Sequence, residues 1–178
     1  MRFIPNFFLS LHREIMKTMK KAFLILILFP FFSGLACTGN GNEKEPGAAT
    51  DVQKETSQGN VAYLTTEQFR QFVWDYKANP NTWVYKGDVP CMIDFYADWC
   101  RPCKMVAPIM EDMAKQYKGK IRIYKVNTDQ ERELSGVFKI SSIPAVLFIP
   151  KSGEPQMSVG ALPKETFEKA IHDVFNIK

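Results

Sequence analysis

Apolar residues recur along the second half of the chain at the spacings typical of helices and strands. The first helical pattern follows Thr65, which can form a capping box with Gln68 at the start of a helix. Three further patterns share this spacing, with Pro108 inside the first of them and Asp129 as the expected cap of the second. The predicted helices are Phe69–Tyr76, Met105–Tyr117, Asp129–Phe138 and a last one that begins at Pro163.

Short apolar runs between these helices predict the strands, which are Trp83–Tyr85, Cys91–Tyr96, Ile121–Val126, Ala145–Ile149 and Gln156–Val159. Strands and helices alternate at first, and a hairpin turn at Lys151–Glu154 and a closing helix follow. This order predicts an α/β fold with a mixed central sheet and helices on both faces.

The N-terminus has the layout of an export signal. Lys17, Lys20 and Lys21 precede the apolar stretch Ala22–Phe32, and small residues follow it. Spanning a bilayer takes roughly 20 apolar residues, so a cleaved signal over residues 1–37 is the better interpretation than a permanent anchor. A start at Met16 or Met19 would give this signal a compact basic head.

Cys37 ends the signal in the sequence Leu-Ala-Cys-Thr, which resembles the lipobox of bacterial lipoproteins, although Gly34 stands where that motif usually has leucine. We expect Cys37 to be acylated; the alternative is a cysteine near an ordinary cleavage site. Residues 38–60 are rich in small and polar residues, which predicts a flexible linker between the membrane and a folded domain at 61–178.

The net positive charge of the chain lies in residues 1–37, the predicted export signal or leader. Its five basic residues and one acid account for the whole net charge of +4, and the rest of the chain carries 18 basic and 18 acidic side chains. A neutral domain gives no electrostatic reason to expect nucleic-acid binding.

Cys100 and Cys103 form a Cys-x-x-Cys motif where a strand gives way to a helix. Backbone N–H groups at a helix N-terminus stabilise an anion, so Cys100 is placed to be a reactive thiolate, and Cys103 lies one turn away on the same side. A redox pair is therefore predicted. Half of a zinc site and a structural disulfide are the alternatives; the first lacks a second cysteine pair, and the second would close too small a loop to stabilise much.

The region from Val61 to the C-terminus resembles thioredoxin along its whole length. The stretches that carry the resemblance are Leu64–Phe69, Ile93–Cys100, Pro102–Pro108, Lys125–Asp129, Ile143–Pro144 and Val159–Leu162. With the leader in front, the resemblance implies an exported, periplasmic thioredoxin of lipoprotein type.

The resemblance implies that Cys100 is the attacking thiol, Cys103 the resolving thiol and Asp94 the carboxylate behind them. Independently of it, a carboxylate inside an apolar strand has a raised pKa unless it is partnered, so Asp94 could take a proton from Cys103. Lys125 is its expected partner, with a solvated lysine as the alternative. The client-binding residues that the resemblance implies are Trp99, Arg101, Pro102, Ile143, Pro144 and Gly160. Cys91 is expected to be buried and inert.

The predicted function is reduction or reshuffling of disulfides in client proteins, by a monomer that takes electrons from an upstream donor protein and needs no cofactor or metal. The family usually has glycine where this chain has Arg101, and a cation there would stabilise the Cys100 thiolate and make the disulfide more oxidising than thioredoxin's roughly −270 mV. A net disulfide oxidase is therefore one alternative, and a redox-inert binding module of the same fold is another.

Overall fold

In a computed structural model, residues 49–177 are described, and they include a five-stranded mixed sheet with helices on both faces. The five strands are β1 (Val61–Tyr63), β2 (Cys91–Tyr96), β3 (Arg122–Asn127), β4 (Ala145–Ile149) and β5 (Gln156–Val159). The five helices are α1 (Ala49–Ser57), α2 (Thr66–Phe72), α3 (Arg101–Gln116), α4 (Arg132–Val137) and α5 (Lys164–Phe175). The predicted fold class is confirmed.

The strands lie in the order β1-β3-β2-β4-β5. The first three run parallel to one another, whereas β4 is antiparallel to β2 and β5 antiparallel to β4. The C-terminal end of β2 consequently lies beside the start of β4, where Phe95 is opposite Ala145. Loops that follow β2 and β5 and that precede β4 therefore meet at one edge of the sheet.

Each face of the sheet has its own core, because side chains alternate along a strand. Met92 of β2 packs on one face against α3 and α5, through Met110 and Phe167 among others. Ile93 packs on the other face with residues of α2 and α4, such as Phe69 and Leu134. Asp94 follows Met92 by two positions, so it points to the α3 side.

Helix α1 occupies residues for which a flexible linker was predicted. Val52 and Thr56 are buried, at 3% and 2% exposure, and Val52 joins the core on the α2 side. Arg122 donates hydrogen bonds to the Gln53 carbonyl and the Thr56 hydroxyl. The linker prediction is thus wrong for residues 49–57, because these tertiary contacts order a segment that contains few apolar residues; residues 38–48 lie outside the described part.

Four other secondary-structure elements can be compared with their predictions. The capping box at Thr65 and Gln68 is confirmed, with both hydrogen bonds present. The strand expected at Trp83–Tyr85 is wrong, since this segment is a loop whose two rings pack against the core on the α2 side. Helix α4 starts after Glu131 and not at Asp129. Strand β1 was not predicted.

Candidate redox site

Cys100 and Cys103 are joined by a disulfide at the edge of the sheet where β2 ends, and their Cα atoms are 5.3 Å apart. Both residues are only 3% exposed, so burial does not distinguish one thiol from the other. Cys100 is the N-cap of α3, and the backbone N–H of Cys103 donates a hydrogen bond to the Cys100 sulfur at 3.2 Å. The sulfur of Cys100 thus occupies the position that an N-cap oxygen usually takes, where a negative charge is stabilised.

The loop before β4 packs against the disulfide, and the loop after β5 is hydrogen-bonded to that loop. Ile143, before β4, packs against the cluster formed by Ala97 and the two cysteines, and its peptide bond to Pro144 is cis. The backbone N–H of Gly160 donates to the Pro144 carbonyl at 2.8 Å. Gly160 has φ +103°, a conformation that favours glycine.

Asp94 is the most unusual buried side chain of the site. It is 0% exposed, and neither carboxylate oxygen has a hydrogen-bond partner within residues 49–177. Burial raises its pKa to about 6, and the positive charge of Lys125 opposes this rise. The carboxyl group can therefore exchange a proton near neutral pH.

Lys125 lies opposite Asp94 in the β2–β3 register, yet the two side chains form no ion pair in the described part of the chain. Its ammonium instead lies over the ring of Tyr96, 4.4 Å from the centroid. Lys125 is thus a cross-strand neighbour of Asp94, and its expected role as the partner of that carboxylate stays a prediction. The sequence did not reveal the contact with Tyr96, because that contact depends on the register of two strands.

Trp99 forms an exposed apolar surface beside the disulfide. It is 69% exposed, and its Nε1–H donates to an Asp129 carboxylate oxygen at 2.8 Å. Asp129 is not the N-cap of α4, which is Glu131; the Asp129 carbonyl accepts a hydrogen bond from the Arg132 side chain, and its N–H donates to the Asn127 side chain. Asp129 was thus predicted as a helix cap but fixes the orientation of the tryptophan, a role that its position two residues after the end of β3 could have suggested.

Comparison with known proteins identifies this arrangement. The family model described as thioredoxin matches residues 60–173. The chain belongs to the thioredoxin family. The similar thioredoxin of Borreliella burgdorferi is 48% identical over 112 residues, which are 63% of this chain and 95% of that protein. Thioredoxin 1 of a Nostoc species is 38% identical over 111 residues, 62% of this chain and 94% of that one.

Two further comparisons are partial. The chloroplastic thioredoxin M-type of Spinacia oleracea is 42% identical over 96 residues, and the match spans 52% of this chain and 53% of that protein. Among solved structures, chloroplastic thioredoxin z has 23% identity and a TM-score of 0.53, covering 65% of this chain and 94% of the other, which supports the fold. As a member of the thioredoxin family, the chain is a thiol–disulfide oxidoreductase.

The thioredoxin domain brings the predicted site residues together at one edge. Arg101 and Pro102 are the exposed first residues of α3, directly after Cys100. The client-binding roles inferred from the resemblance stay predictions. Within residues 49–177, no group of histidine, cysteine, aspartate and glutamate side chains is arranged to hold a metal ion.

Among the described cysteines, Cys91 is not part of the disulfide. Cys91 is free and 0% exposed, and burial raises the pKa of its thiol to about 12. Its predicted burial is confirmed. Cys37 lies outside the described residues. None of the helices described is both long and apolar enough to span a bilayer.

Proposed function

We propose that this protein is an exported thioredoxin that reduces or reshuffles disulfides in client proteins through Cys100 and Cys103. The observation that carries the proposal is the N-cap position of Cys100, whose sulfur accepts a hydrogen bond from the Cys103 N–H. In the reduced protein the same N–H would stabilise a Cys100 thiolate, which is the attacking form in disulfide exchange.

The exchange proceeds in two displacements. The Cys100 thiolate attacks one sulfur of a client disulfide, which forms a mixed disulfide and releases the first client thiolate. Cys103 then loses its proton to Asp94 and attacks the Cys100 sulfur, which forms the Cys100–Cys103 disulfide and releases the second client thiolate. The client gains two electrons and the protein loses two, so an upstream dithiol donor must restore the reduced pair.

The site surface favours protein clients. Trp99 is exposed and held by Asp129, and Met105 and Val159 are 67% and 56% exposed. Such an apolar surface around the disulfide suits an extended peptide, which could pair with the backbone beside Pro144.

Alkylation of the reduced full-length protein tests the assigned roles. Iodoacetamide at neutral pH should modify Cys100 far faster than Cys103 or Cys91, with peptide mapping as the readout. A Cys103→Ser variant should accumulate mixed disulfides with client proteins, and Cys100→Ser/Cys103→Ser is the matched control that should form none. Equal alkylation rates at the three thiols would refute the roles. Recovery of no adducts would favour a redox-inert binding module.

The proposal places the domain outside the cytoplasm, in the periplasm and tethered by a lipid on Cys37. The basic head, the apolar stretch Ala22–Phe32 and Cys37 support it. Metabolic labelling with a fatty acid should tag the wild type and not Cys37→Ala, while Cys91→Ala serves as a cysteine control that stays labelled. Export without labelling of the wild type would contradict the lipid anchor.

The direction of electron flow in the cell is tested by the reduction potential. We propose net reduction, so the potential should lie close to thioredoxin's roughly −270 mV. A potential near that of the periplasmic oxidant, roughly −120 mV, would instead support a net oxidase.

A further inference from the structure

Tyr96, the last residue of β2, packs against the cluster that contains the two cysteines and also contacts Lys125, the cross-strand neighbour of Asp94. The half-buried tyrosine packs against the cluster formed by Ala97, Cys100 and Cys103. Its ring face receives the Lys125 ammonium, 4.4 Å from the centroid. The ring of Tyr63 meets it edge-on, with centroids 6.2 Å apart and planes at 64°. One side chain thus contacts both the cluster that contains the two cysteines and the Lys125 ammonium.

The register of the sheet explains why the cation lies there. Tyr63 of β1, Lys125 of β3 and Asp94 of β2 are cross-strand neighbours in one row, and Tyr96 follows Asp94 by two positions on the same face. Attraction between an ammonium and an aromatic face strengthens when water is partly excluded. The Tyr96 ring therefore gives the Lys125 ammonium a defined position, although Lys125 and Asp94 form no ion pair among the described residues.

We propose that Tyr96 is a positioning residue for the exchange reaction: its ring holds the Lys125 ammonium beside the buried Asp94 carboxyl and thereby keeps that carboxyl ionised at neutral pH. An ionised Asp94 can accept the Cys103 proton, whereas a protonated one cannot. The inference rests on the proposed proton transfer from Cys103 to Asp94. It also assigns Tyr63 a supporting position at the edge of the Tyr96 ring.

The charges around Asp94 make the direction of the effect clear. Burial raises the pKa of Asp94 and the Lys125 charge lowers it, so displacement of the ammonium should raise the pKa further. The titratable groups around Tyr96 in the described part of the chain are Asp94 itself, Tyr63 from β1, Asp98 after β2, and the two cysteines of the cluster against which it packs. Burial also raises the pKa of Tyr96 to about 12, so its ring is neutral at pH 7.

Titration of the Asp94 carboxyl in the oxidised full-length protein tests the proposal, because the cysteines do not titrate in that state. Carboxyl-carbon NMR on aspartate-labelled protein follows the group in the wild type, Tyr96→Phe, Tyr96→Leu, Lys125→Met and Tyr96→Leu/Lys125→Met. Lys125→Met should raise the Asp94 pKa by about one unit, the size expected for loss of a nearby charge. Tyr96→Leu should shift it in the same direction, and Tyr96→Phe should match the wild type because its ring face remains.

The double variant separates positioning from a general change in packing. If Tyr96 acts through Lys125, Tyr96→Leu should add no further shift in the Lys125→Met background. A Tyr96→Leu shift that persists there would overturn the proposal. So would an unchanged or lowered Asp94 pKa in the single variant, since lowering is the result expected if water merely enters the site.

Kinetics distinguish failure of this proposal from failure of the proposed proton transfer. In Tyr96→Leu, the acidic limb of the pH profile for mixed-disulfide resolution should move up by the same amount as the Asp94 pKa. A shifted Asp94 pKa with an unmoved acidic limb would overturn proton transfer to Asp94, although the coupling between Tyr96 and Lys125 would stand.

Discussion

The two ends of strand β2 bury titratable side chains in different ways. At its start, Cys91 lies on the face of the sheet that packs against α2 and α4, together with Tyr85, whose hydroxyl donates to the Val89 carbonyl at 2.6 Å. Toward its end, Asp94 lies on the α3 face with neither oxygen hydrogen-bonded. Burial raises the pKa of both groups, to about 12 for Cys91 and about 6 for Asp94.

The same physical effect therefore has opposite consequences at the two ends. A thiol with a raised pKa stays protonated and unreactive, whereas a carboxyl with a raised pKa becomes able to exchange a proton near neutral pH. The hydrogen bonding around the two groups also differs. At the Cys91 end, Arg122 ties α1 and Asp88 together through four hydrogen bonds. At the Asp94 end, the carboxyl group has no hydrogen-bond partner among the described residues, and it lies on the face of the sheet that packs against α3, the helix that begins after Cys100.

The largest effect should come from removing the attacking cysteine and measuring the rate of disulfide reduction. Cys100→Ser should abolish insulin reduction coupled to a thioredoxin reductase, because no attacking thiolate remains. Cys91→Ala is the matched control; it should keep the wild-type rate and lower the free energy of unfolding by about 1 kcal/mol. A Cys91→Ala protein that folds but no longer reduces insulin would contradict the claim that Cys91 takes no part in disulfide exchange.

The next effect concerns the pH dependence of stability. The pKa of Asp94 is raised above its unfolded value of 3.8 to about 6, so the folded state binds the proton more tightly and the wild type loses stability as pH rises through that window. Asp94→Asn removes this loss. The free energy of unfolding of Asp94→Asn minus that of the wild type should therefore be about 3 kcal/mol larger at pH 7 than at pH 3. Urea unfolding at the two pH values measures it.

Two outcomes would count against this account of Asp94. A difference between Asp94→Asn and the wild type that is the same at both pH values would show that the carboxyl titrates normally. A difference of opposite sign would show a lowered pKa, as for a carboxylate in a strong ion pair. Cys91→Ala again serves as the control, since it should show no change of this kind between pH 3 and pH 7.

The features that the sequence predicts correctly are those encoded by residues close together along the chain. The capping box at Thr65 and the cysteine motif are encoded within a few residues, and the structure has both. Helix α1 was missed because Val52 is its only large apolar residue in the core, and its order depends on Arg122, 66 residues away from Thr56. The contact between Lys125 and Tyr96 likewise requires the register of β2 on β3, which no single segment specifies.

A smaller effect is expected from the hydrogen-bonded cluster at the Cys91 end. The Arg122 side chain is 13% exposed and bonds both α1 and Asp88, whereas Asp88 is 67% exposed. Arg122→Met should lower the free energy of unfolding by about 2 kcal/mol, because the contacts to Gln53 and Thr56 are lost as well. Asp88→Asn removes only the exposed pair and should cost less than about 1 kcal/mol.

Hydrogen exchange locates the effect of Arg122. Amides of α1 should exchange faster in Arg122→Met than in Asp88→Asn, while those of α3 should be unchanged in both. Equal exchange rates of the α1 amides in the two variants would show that Val52 and its neighbours alone hold the helix. The rate of disulfide reduction should stay at the wild-type level in both variants.

The smallest effect returns to the disulfide. Arg101 is the exposed first residue of α3, next to Cys100, and a cation there favours the thiolate and hence the reduced form. Arg101→Gly should therefore make the reduction potential more negative, by on the order of 20 mV, since an exposed charge is screened by water and contributes about 1 kcal/mol at most. Equilibration with glutathione measures the potential, and raised salt should shrink the difference between the two proteins. Arg101→Lys is the matched control, because it keeps the charge and should keep the potential. An unchanged potential in Arg101→Gly would show that the helix N-terminus alone stabilises the Cys100 thiolate, and the oxidase alternative would lose the residue that suggests it.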